Sequence, residues 1–242
     1  MTRRAGAPIA ASHDEFLRRL DGLVVGRSAS HGVFDGVTFL HPGLDVHVRF
    51  PSGWSIANNR QIVAAGAPDG RAVIALELAG QGTDPEAALE AFARETKISL
   101  TPPERLTIGG LPAARSTATV RTRDGWLALE LTCIAHAGRL FTITGATPLG
   151  AAETARPAFR ETAASFRPLT TGEWAGIREA RLRLVRARAD ERLGVLVARA
   201  HGAWSAAMAA VANALEADTP LDAGTLVKVA TLEPYTPRDR GR

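Results

Sequence analysis

The sequence is poor in the residues on which many protein chemistries depend. Among its 242 residues Cys133 is the single cysteine, which excludes an internal disulfide and any zinc site built from several cysteines. Cys133 lies in the apolar run Leu129–Ala135, so we expect it to be a small core residue. No apolar stretch approaches the roughly 20 residues that a membrane-spanning helix needs, and we expect a soluble protein.

Lysine is also scarce, because Lys97 and Lys228 are the only two, and arginine supplies nearly all of the positive charge behind the formal net charge of +4. A nucleic-acid-binding protein would concentrate basic residues on one face and interleave them with aromatic residues. We therefore expect solvated arginines.

The stretch Met1–Ser12 is too short and too weakly apolar for a signal peptide, so the sequence as it stands predicts a cytoplasmic chain.

Residues 37–169 predict an α+β domain with an antiparallel sheet. Val46, Val48 and Phe50 alternate with polar residues, as in a half-buried strand, and Pro68-Asp69-Gly70 has the composition of a hairpin turn. Asp84 is a predicted N-cap for a helix that begins at Pro85. Strands in hairpins with segregated helices indicate a layered α+β sandwich.

Residues 170–233 predict a small second domain. Thr170 and Glu173 have the spacing of a capping box. Residues 181–188 fit either a strand or the start of one helix running to Ala200. Asp190 can cap a helix that ends at Arg199, and Ser205 can cap a second helix.

Neither terminal segment of the chain is predicted to form a domain of its own. Residues 1–36 indicate a short helix behind a Ser12 cap, followed by a connector. The Pro- and Arg-rich tail, residues 234–242, is predicted to be disordered.

The sequence contains no complete catalytic, metal-binding or cofactor-binding pattern. The histidines His41, His47, His136 and His201 are scattered, and His41 is expected to make a hydrogen bond beside a strand. The loop with Ser28, Ser30, His31 and Asp35 lacks the Gly-x-Ser-x-Gly turn of a nucleophile. The densest basic run is predicted to be a solvated face, with an anion site as the alternative, and comprises Arg178, Arg181, Arg183, Arg186, Arg188 and Arg192.

Several turn and packing segments resemble the region after the catalytic domain in bacterial HtpX-type zinc metallopeptidases of the periplasm; they are Phe39–Leu44, Phe50–Trp54, Ala67–Gly70 and Ser165–Leu169. By this resemblance residues 37–169 form a PsbP-like sandwich. The following residues resemble a degenerate LysM module, a small strand–helix–helix–strand (βααβ) domain, best matched at Asn213-Ala214-Leu215 and Leu221–Val229. The Gly-Asp-Thr that is usual in the first LysM loop is Ala189-Asp190-Glu191 here.

The resemblance implies a non-catalytic accessory or binding module of the bacterial cell envelope, with a periplasmic location. Its partner would be an envelope protein, such as a zinc metallopeptidase, or the glycan of peptidoglycan. Asp190 and Asn213 lie in the two loops that LysM modules use for sugar and are the implied glycan-binding residues, although both also have a structural interpretation as helix caps.

The peptidases bind zinc through His-Glu-x-x-His on a helix, and here no two histidines lie four apart. We therefore expect no enzyme activity, no cofactor and no metal. Two alternatives stay open: a metallopeptidase subunit that is active only with a separate catalytic chain, and an arginine-rich nucleic-acid binder.

Overall fold

The computed structural model describes residue 10 and residues 12–59, 62–216, 218 and 220–237. The chain divides into two compact units. One unit spans Gly32–Glu173, and the other combines the segment up to His31 with the segment from Trp174 onward. In the described ranges, no helix is long and apolar enough to cross a membrane. Most of Met1–Ser12, and residues 238–242 of the predicted tail, lie outside the described residues.

The helices are short, and their bounds are α1 His13–Leu20, α2 Pro85–Thr96, α3 Ala152–Ala164, α4 Thr171–Gly176, α5 Leu193–Arg199 and α6 Ala206–Asn213. The strands are β1 Val33–Asp35, β2 Thr38–His41, β3 Val46–Arg49, β4 Ser55–Asn58, β5 Ile62–Gly66, β6 Val73–Gln81, β7 Glu104–Ile108, β8 Leu111–Thr122, β9 Gly125–His136, β10 Arg139–Pro148, β11 Arg178–Arg186, β12 Glu191–Arg192, β13 Pro220–Leu221 and β14 Leu226–Pro234. The predicted tail therefore begins inside a strand.

The unit Gly32–Glu173 is built on a seven-stranded sheet with the order β4-β5-β6-β10-β9-β8-β7. Each neighbouring pair in this sheet is antiparallel. A second sheet, β1-β2-β3, is antiparallel as well. The predicted α+β class with an antiparallel sheet is confirmed.

Both faces of the large sheet are covered. On one face β2, β3 and α3 contribute to the main core, whose largest fully buried side chains include Phe50, Phe141 and Phe166. On the other face Leu89 of α2 packs with Leu131 and Cys133. Burial of each such side chain stabilises the fold by roughly 1.5–3 kcal/mol.

Short-range sequence signals give three of the helix starts correctly. The Ser12 hydroxyl accepts a hydrogen bond from the Glu15 amide, and the Asp84 carboxylate accepts from the amides of Glu86 and Ala87. The Ser205 hydroxyl accepts from the Met208 amide. These side chains satisfy amide groups that the first helical turn leaves unpaired, so the predicted caps are confirmed.

In the second unit, the helices α5 and α6 lie between β11 and β14 in the chain, with the short strands β12 and β13 before and after the helix pair; we call this segment the βααβ unit. Strands β11 and β14 pair along their whole length, from Arg178 opposite Pro234 to Arg186 opposite Leu226, so residues 181–186 form a strand. Helices α5 and α6 share a core with β14. On the far edge of β11, the amide of Leu182 donates to the Leu23 carbonyl and the amide of Val25 donates to the Ala180 carbonyl. The connector predicted before residue 37 therefore extends this small sheet.

One predicted feature is wrong, and one strand was missed. Asp190 does not cap a helix, because Glu191 and Arg192 first pair with β13 and α5 begins only at Leu193, with Arg192 as its N-cap. The strand β7 was not predicted, although it pairs with the start of β8 and closes one edge of the large sheet.

Gly145 provides a test of the packing between α3 and the large sheet. A Cβ atom at this position would lie 2.2 Å from a ring atom of Phe159. We expect Gly145→Ala to lower the free energy of unfolding by about 1–3 kcal/mol, because either the strand or the buried ring of Phe159 must shift to make room for the methyl group. Urea denaturation measures the change. Gly150→Ala is the matched control, since no atom lies within 4 Å of its added Cβ, and an equal loss in both variants would contradict the packing.

Candidate functional site

The candidate site consists of two loops of the βααβ unit that lie side by side. We call residues 187–192 the first loop and residues 214–216, 218 and 220–225 the second loop. The Ala187 amide donates to the Thr225 carbonyl at 2.9 Å, and the Ala187 carbonyl accepts from the Gly224 amide at 2.9 Å. The Asp190 amide donates to the Leu221 carbonyl at 3.1 Å. Backbone hydrogen bonds therefore fix the relative position of the two loops.

Glu191 anchors the first loop from inside the fold. Its side chain is 5% exposed. Its carboxylate accepts two hydrogen bonds from the Arg199 guanidinium, at 2.8 and 2.7 Å, and one from the Arg188 amide at 2.9 Å. The Arg199 guanidinium lowers the pKa of Glu191 to about 2. The carboxylate therefore stays ionised and ties the loop to α5.

Asn213, one of the two implied glycan-binding residues, is directed into the protein. Its amide nitrogen donates to the carbonyls of Ala209 and Lys228, both at 2.8 Å, and its Oδ1 accepts from the Lys228 amide at 2.8 Å. These bonds use both amide hydrogens, so only Oδ1 has hydrogen-bonding capacity left for a sugar. Asn213 is the last residue of α6, whose C-cap is Ala214, and it joins this helix to β14.

Asp190, the other implied residue, is directed outward. Its φ is 58°, a left-handed conformation that aspartate tolerates better than most residues. The residue is exposed, as are Arg188 and Arg192 on either side. Within the described part of the chain, these three side chains make no hydrogen bond or ion pair. The first loop therefore presents alternating positive and negative groups that can bind polar ligand atoms.

The arginine run does not form a continuous solvated face. Arg181 pairs with Glu179, whose side chain is 2% exposed, and Arg183 binds Glu233 through two hydrogen bonds of 2.6 Å. The Arg183 guanidinium lowers the pKa of Glu233 to about 2. The prediction of solvated arginines is therefore wrong for Arg181, which pairs with a glutamate two residues away, and for Arg183, which pairs with a glutamate 50 residues away.

The histidines serve separate local roles. The predicted hydrogen bond of His41 is confirmed, since its Nδ1 accepts from the Leu44 amide at 3.1 Å. His47 Nδ1 lies 2.8 Å from Glu173 Oε1, and burial lowers the pKa of His47. His136 Nε2 lies 3.2 Å from Asp45 Oδ2. Among the described residues, no group of three His, Cys, Asp or Glu side chains is arranged to hold a metal ion.

Glu173 forms a polar cluster that the sequence indicated only in part. The predicted capping box is confirmed, because the Thr170 amide donates to Glu173 at 2.8 Å and the Glu173 amide donates to the Thr170 hydroxyl at 3.2 Å. Glu173 also accepts two hydrogen bonds of 2.8 Å from the Arg167 guanidinium, which holds the pKa of this carboxyl well below its usual range. Only the Thr170–Glu173 spacing was visible in the sequence.

The two remaining candidate nucleophiles, Cys133 and Ser28, have structural roles in the fold. Cys133 is 1% exposed, and burial raises the pKa of its thiol to about 11, so its prediction as a core residue is confirmed. The Ser28 hydroxyl lies 2.9 Å from the Ser30 hydroxyl and donates to the Glu179 carboxylate at 3.3 Å. That serine is thus bonded to an acid rather than to a histidine.

Comparisons with known proteins do not assign this chain to a family. No family model matches the sequence, and no curated protein matches it. A protein from Bacteroides thetaiotaomicron is similar in structure at 16% identity and a TM-score of 0.44, over 64% of this chain and 55% of that one. The chain thus spans about half the length of that protein.

Two further solved structures are similar to parts of the chain. Cyanobacterial PsbP (CyanoP) of Synechocystis sp. PCC 6803 has 12% identity and a TM-score of 0.45, over 57% of this chain and 95% of that one. LpqN of Mycobacterium tuberculosis, described as involved in cell envelope biogenesis, has 12% identity and a TM-score of 0.41, over 67% of this chain and 100% of that one. The class that the structure defines is a mixed α+β protein with antiparallel sheets.

Proposed function

We propose that this chain is a non-catalytic binding module of the bacterial cell envelope, and that its βααβ unit binds glycan as a LysM-like domain. The observation that carries the proposal is the backbone pairing of the first and second loops. These are the loops that the LysM resemblance implies for sugar binding. A rigid pair of loops pre-organises a binding surface, so that less conformational entropy is lost when a ligand binds.

The groups on this surface suit a polyhydroxylated ligand. Asp190 accepts hydrogen bonds, and Arg188 and Arg192 donate them. The second loop adds the exposed Asp218 and Asp222. Sugar hydroxyls both donate and accept, so alternating donors and acceptors match them better than a surface of one charge would.

The absence of catalysis is part of the same proposal. Support comes from the side chains that would be the first candidates for chemistry. His47 is hydrogen-bonded to Glu173, the Ser28 hydroxyl is hydrogen-bonded to Glu179, and the Cys133 thiol is buried.

The resemblance of residues 37–169 to the PsbP-like sandwich of HtpX-type peptidases extends the proposal to a zinc metallopeptidase as the protein partner. Co-purification of such an enzyme with the tagged chain would test that extension.

Asp190→Asn tests glycan binding with the least disturbance of the loop. Asparagine tolerates the left-handed backbone that Asp190 adopts, whereas alanine would add strain. We expect the wild-type chain to bind soluble peptidoglycan fragments in isothermal titration calorimetry. The variant should bind about 5- to 100-fold more weakly, because asparagine keeps one acceptor oxygen but replaces the other with a donor and removes the charge that strengthens the hydrogen bonds.

Asp69→Asn is the matched control. Asp69 is an exposed aspartate in the hairpin turn of the other unit, where its carboxylate accepts from the Arg71 amide. Unchanged affinity in Asp190→Asn, or an equal loss in both variants, would remove Asp190 from the site.

A further inference from the structure

One face of the β8–β9 hairpin carries a row of polar side chains. Alternate residues of a strand point to the same side of a sheet, and in β8 these are Arg115, Thr117, Thr119 and Arg121. The strand register places them opposite Thr132, Glu130, Ala128 and Trp126 of β9. We call these residues the polar strip. The opposite face of the same strands contributes Ala114, Leu131 and Cys133 to the core beneath α2.

Helix α3 adds two further cations to one side of the polar strip. Arg156 and Arg160 are four residues apart and therefore lie on the same side of the helix. Their Nε atoms are 3.6 and 3.3 Å from the Glu130 carboxylate, and Arg115 Nε is 3.7 Å from it. Glu130 has a side chain that is 6% exposed. One buried carboxylate thus faces three guanidinium groups.

The positive charge of this cluster is only partly neutralised. Arg115 Nε is buried and has no hydrogen-bond partner in the described part of the structure. Arg160 is 48% exposed, and Arg156 also pairs with Glu153, whose side chain is 81% exposed. The accessible guanidinium nitrogens of Arg156 and Arg160, rather than the buried Arg115 Nε, are therefore the groups that can bind carboxylates and phosphates through charge-assisted hydrogen bonds.

An aromatic side chain occupies the outer end of the polar strip. Trp126 is 52% exposed, and the Arg121 guanidinium lies 5.8 Å from its ring centroid. A large exposed ring beside a cation offers both an apolar contact surface and a charge. Arg115 and Arg121 are six residues apart in one strand, which places them about 20 Å apart. A ligand that contacts both ends must therefore be extended.

We propose that the polar strip, together with Arg156 and Arg160, binds an acidic polysaccharide. The arginines bind its acidic groups, the accessible hydroxyls of Thr117 and Thr119 bind its hydroxyls, and Trp126 packs against the apolar face of a sugar ring. A single-stranded nucleic acid fits less well, because such sites use several aromatic rings in series along a positive groove. The strip has one aromatic residue, and Glu130 lies in its middle. This site lies in the unit Gly32–Glu173 and goes beyond the proposed function. It rests on the proposed function in one respect only, namely that the polysaccharide would come from the cell envelope.

The test uses the intact chain and three probes: polygalacturonate as the acidic polysaccharide, dextran as a neutral one, and oligo-dT as a nucleic acid. We expect polygalacturonate to bind at low salt and to be released as salt rises, because screening weakens exposed charges, and dextran not to bind. Arg156→Gln with Arg160→Gln should weaken binding by about tenfold or more, as expected for lost hydrogen bonds between charged groups. Arg71→Gln with Arg94→Gln removes the same charge from exposed positions elsewhere in this unit and should have little effect.

A second variant covers the case in which loss of arginines around Glu130 disturbs folding. Arg121→Gln with Trp126→Ala leaves the Glu130 cluster intact and should also weaken polygalacturonate binding. Equal losses in the strip and control variants, tighter binding of oligo-dT, or no binding of polygalacturonate at low salt would overturn the proposal. Asp190→Asn should leave polygalacturonate binding unchanged, which separates a failure here from a failure of the glycan site in the βααβ unit.

Discussion

Asn213→Ala is expected to lower the free energy of unfolding by about 2–3 kcal/mol, because it removes three hydrogen bonds worth roughly 1 kcal/mol each. Two of them go to the backbone of Lys228, whose amide and carbonyl would lose their partners. Asn213 is the residue that holds the end of α6 against β14. The measurement is chemical denaturation followed by circular dichroism.

The control for this helix is Val211→Ala. Val211 is 84% exposed, and surface substitutions of this kind change stability by about 0.5 kcal/mol or less. If Asn213→Ala were as stable as the wild-type chain, the inward orientation of Asn213 would be wrong, and a direct contact with glycan would become the better account of this residue.

Glu173→Ala is the second substitution with a large expected effect. It leaves Arg167, His47 and Thr170 without their shared acceptor. Breaking a buried ion pair costs about 3–5 kcal/mol, and we expect about 2–4 kcal/mol here because Arg167 is 35% exposed. Urea denaturation at neutral pH measures this loss.

Acidification provides an independent check on Glu173. The folded-state pKa of this carboxyl lies below its unfolded value, so its contribution to stability is complete above the unfolded pKa and is lost as pH falls through the folded pKa. The difference between the wild-type chain and Glu173→Ala should therefore shrink in acid. Glu153→Ala is the control, because its ion pair with Arg156 is exposed and such pairs contribute about 0–1 kcal/mol. Equal losses for Glu153→Ala and Glu173→Ala would contradict the cluster.

The sequence predicts well those parts of the fold that are determined by residues close together in the chain. Asp84 and Pro85 begin a helix, and Pro68-Asp69-Gly70 joins two strands, because each signal acts within a few residues. The alternation of Val46, Val48 and Phe50 gives a strand for the same reason. In each of these cases the structure agrees with the pattern.

The site depends on partners that are remote in sequence. Asp190 fails as a helix cap because Glu191 pairs with Leu221. No sequence pattern near Asp190 predicts that pairing. Arg183 is ion-paired because Glu233 and Asp21 fold against it. The alternation Arg115, Thr117, Thr119 and Arg121 was visible in the sequence, but only the strand register shows that it faces Trp126 and Glu130.

The most direct test of the proposed function is a titration of the isotope-labelled intact chain with peptidoglycan fragments, followed by amide chemical shifts. The account predicts shift changes concentrated in residues 187–192 and 214–225, with those changes lost in Asp190→Asn. Absence of any shift change at millimolar fragment, or changes confined to the unit Gly32–Glu173, would contradict glycan binding by the paired loops.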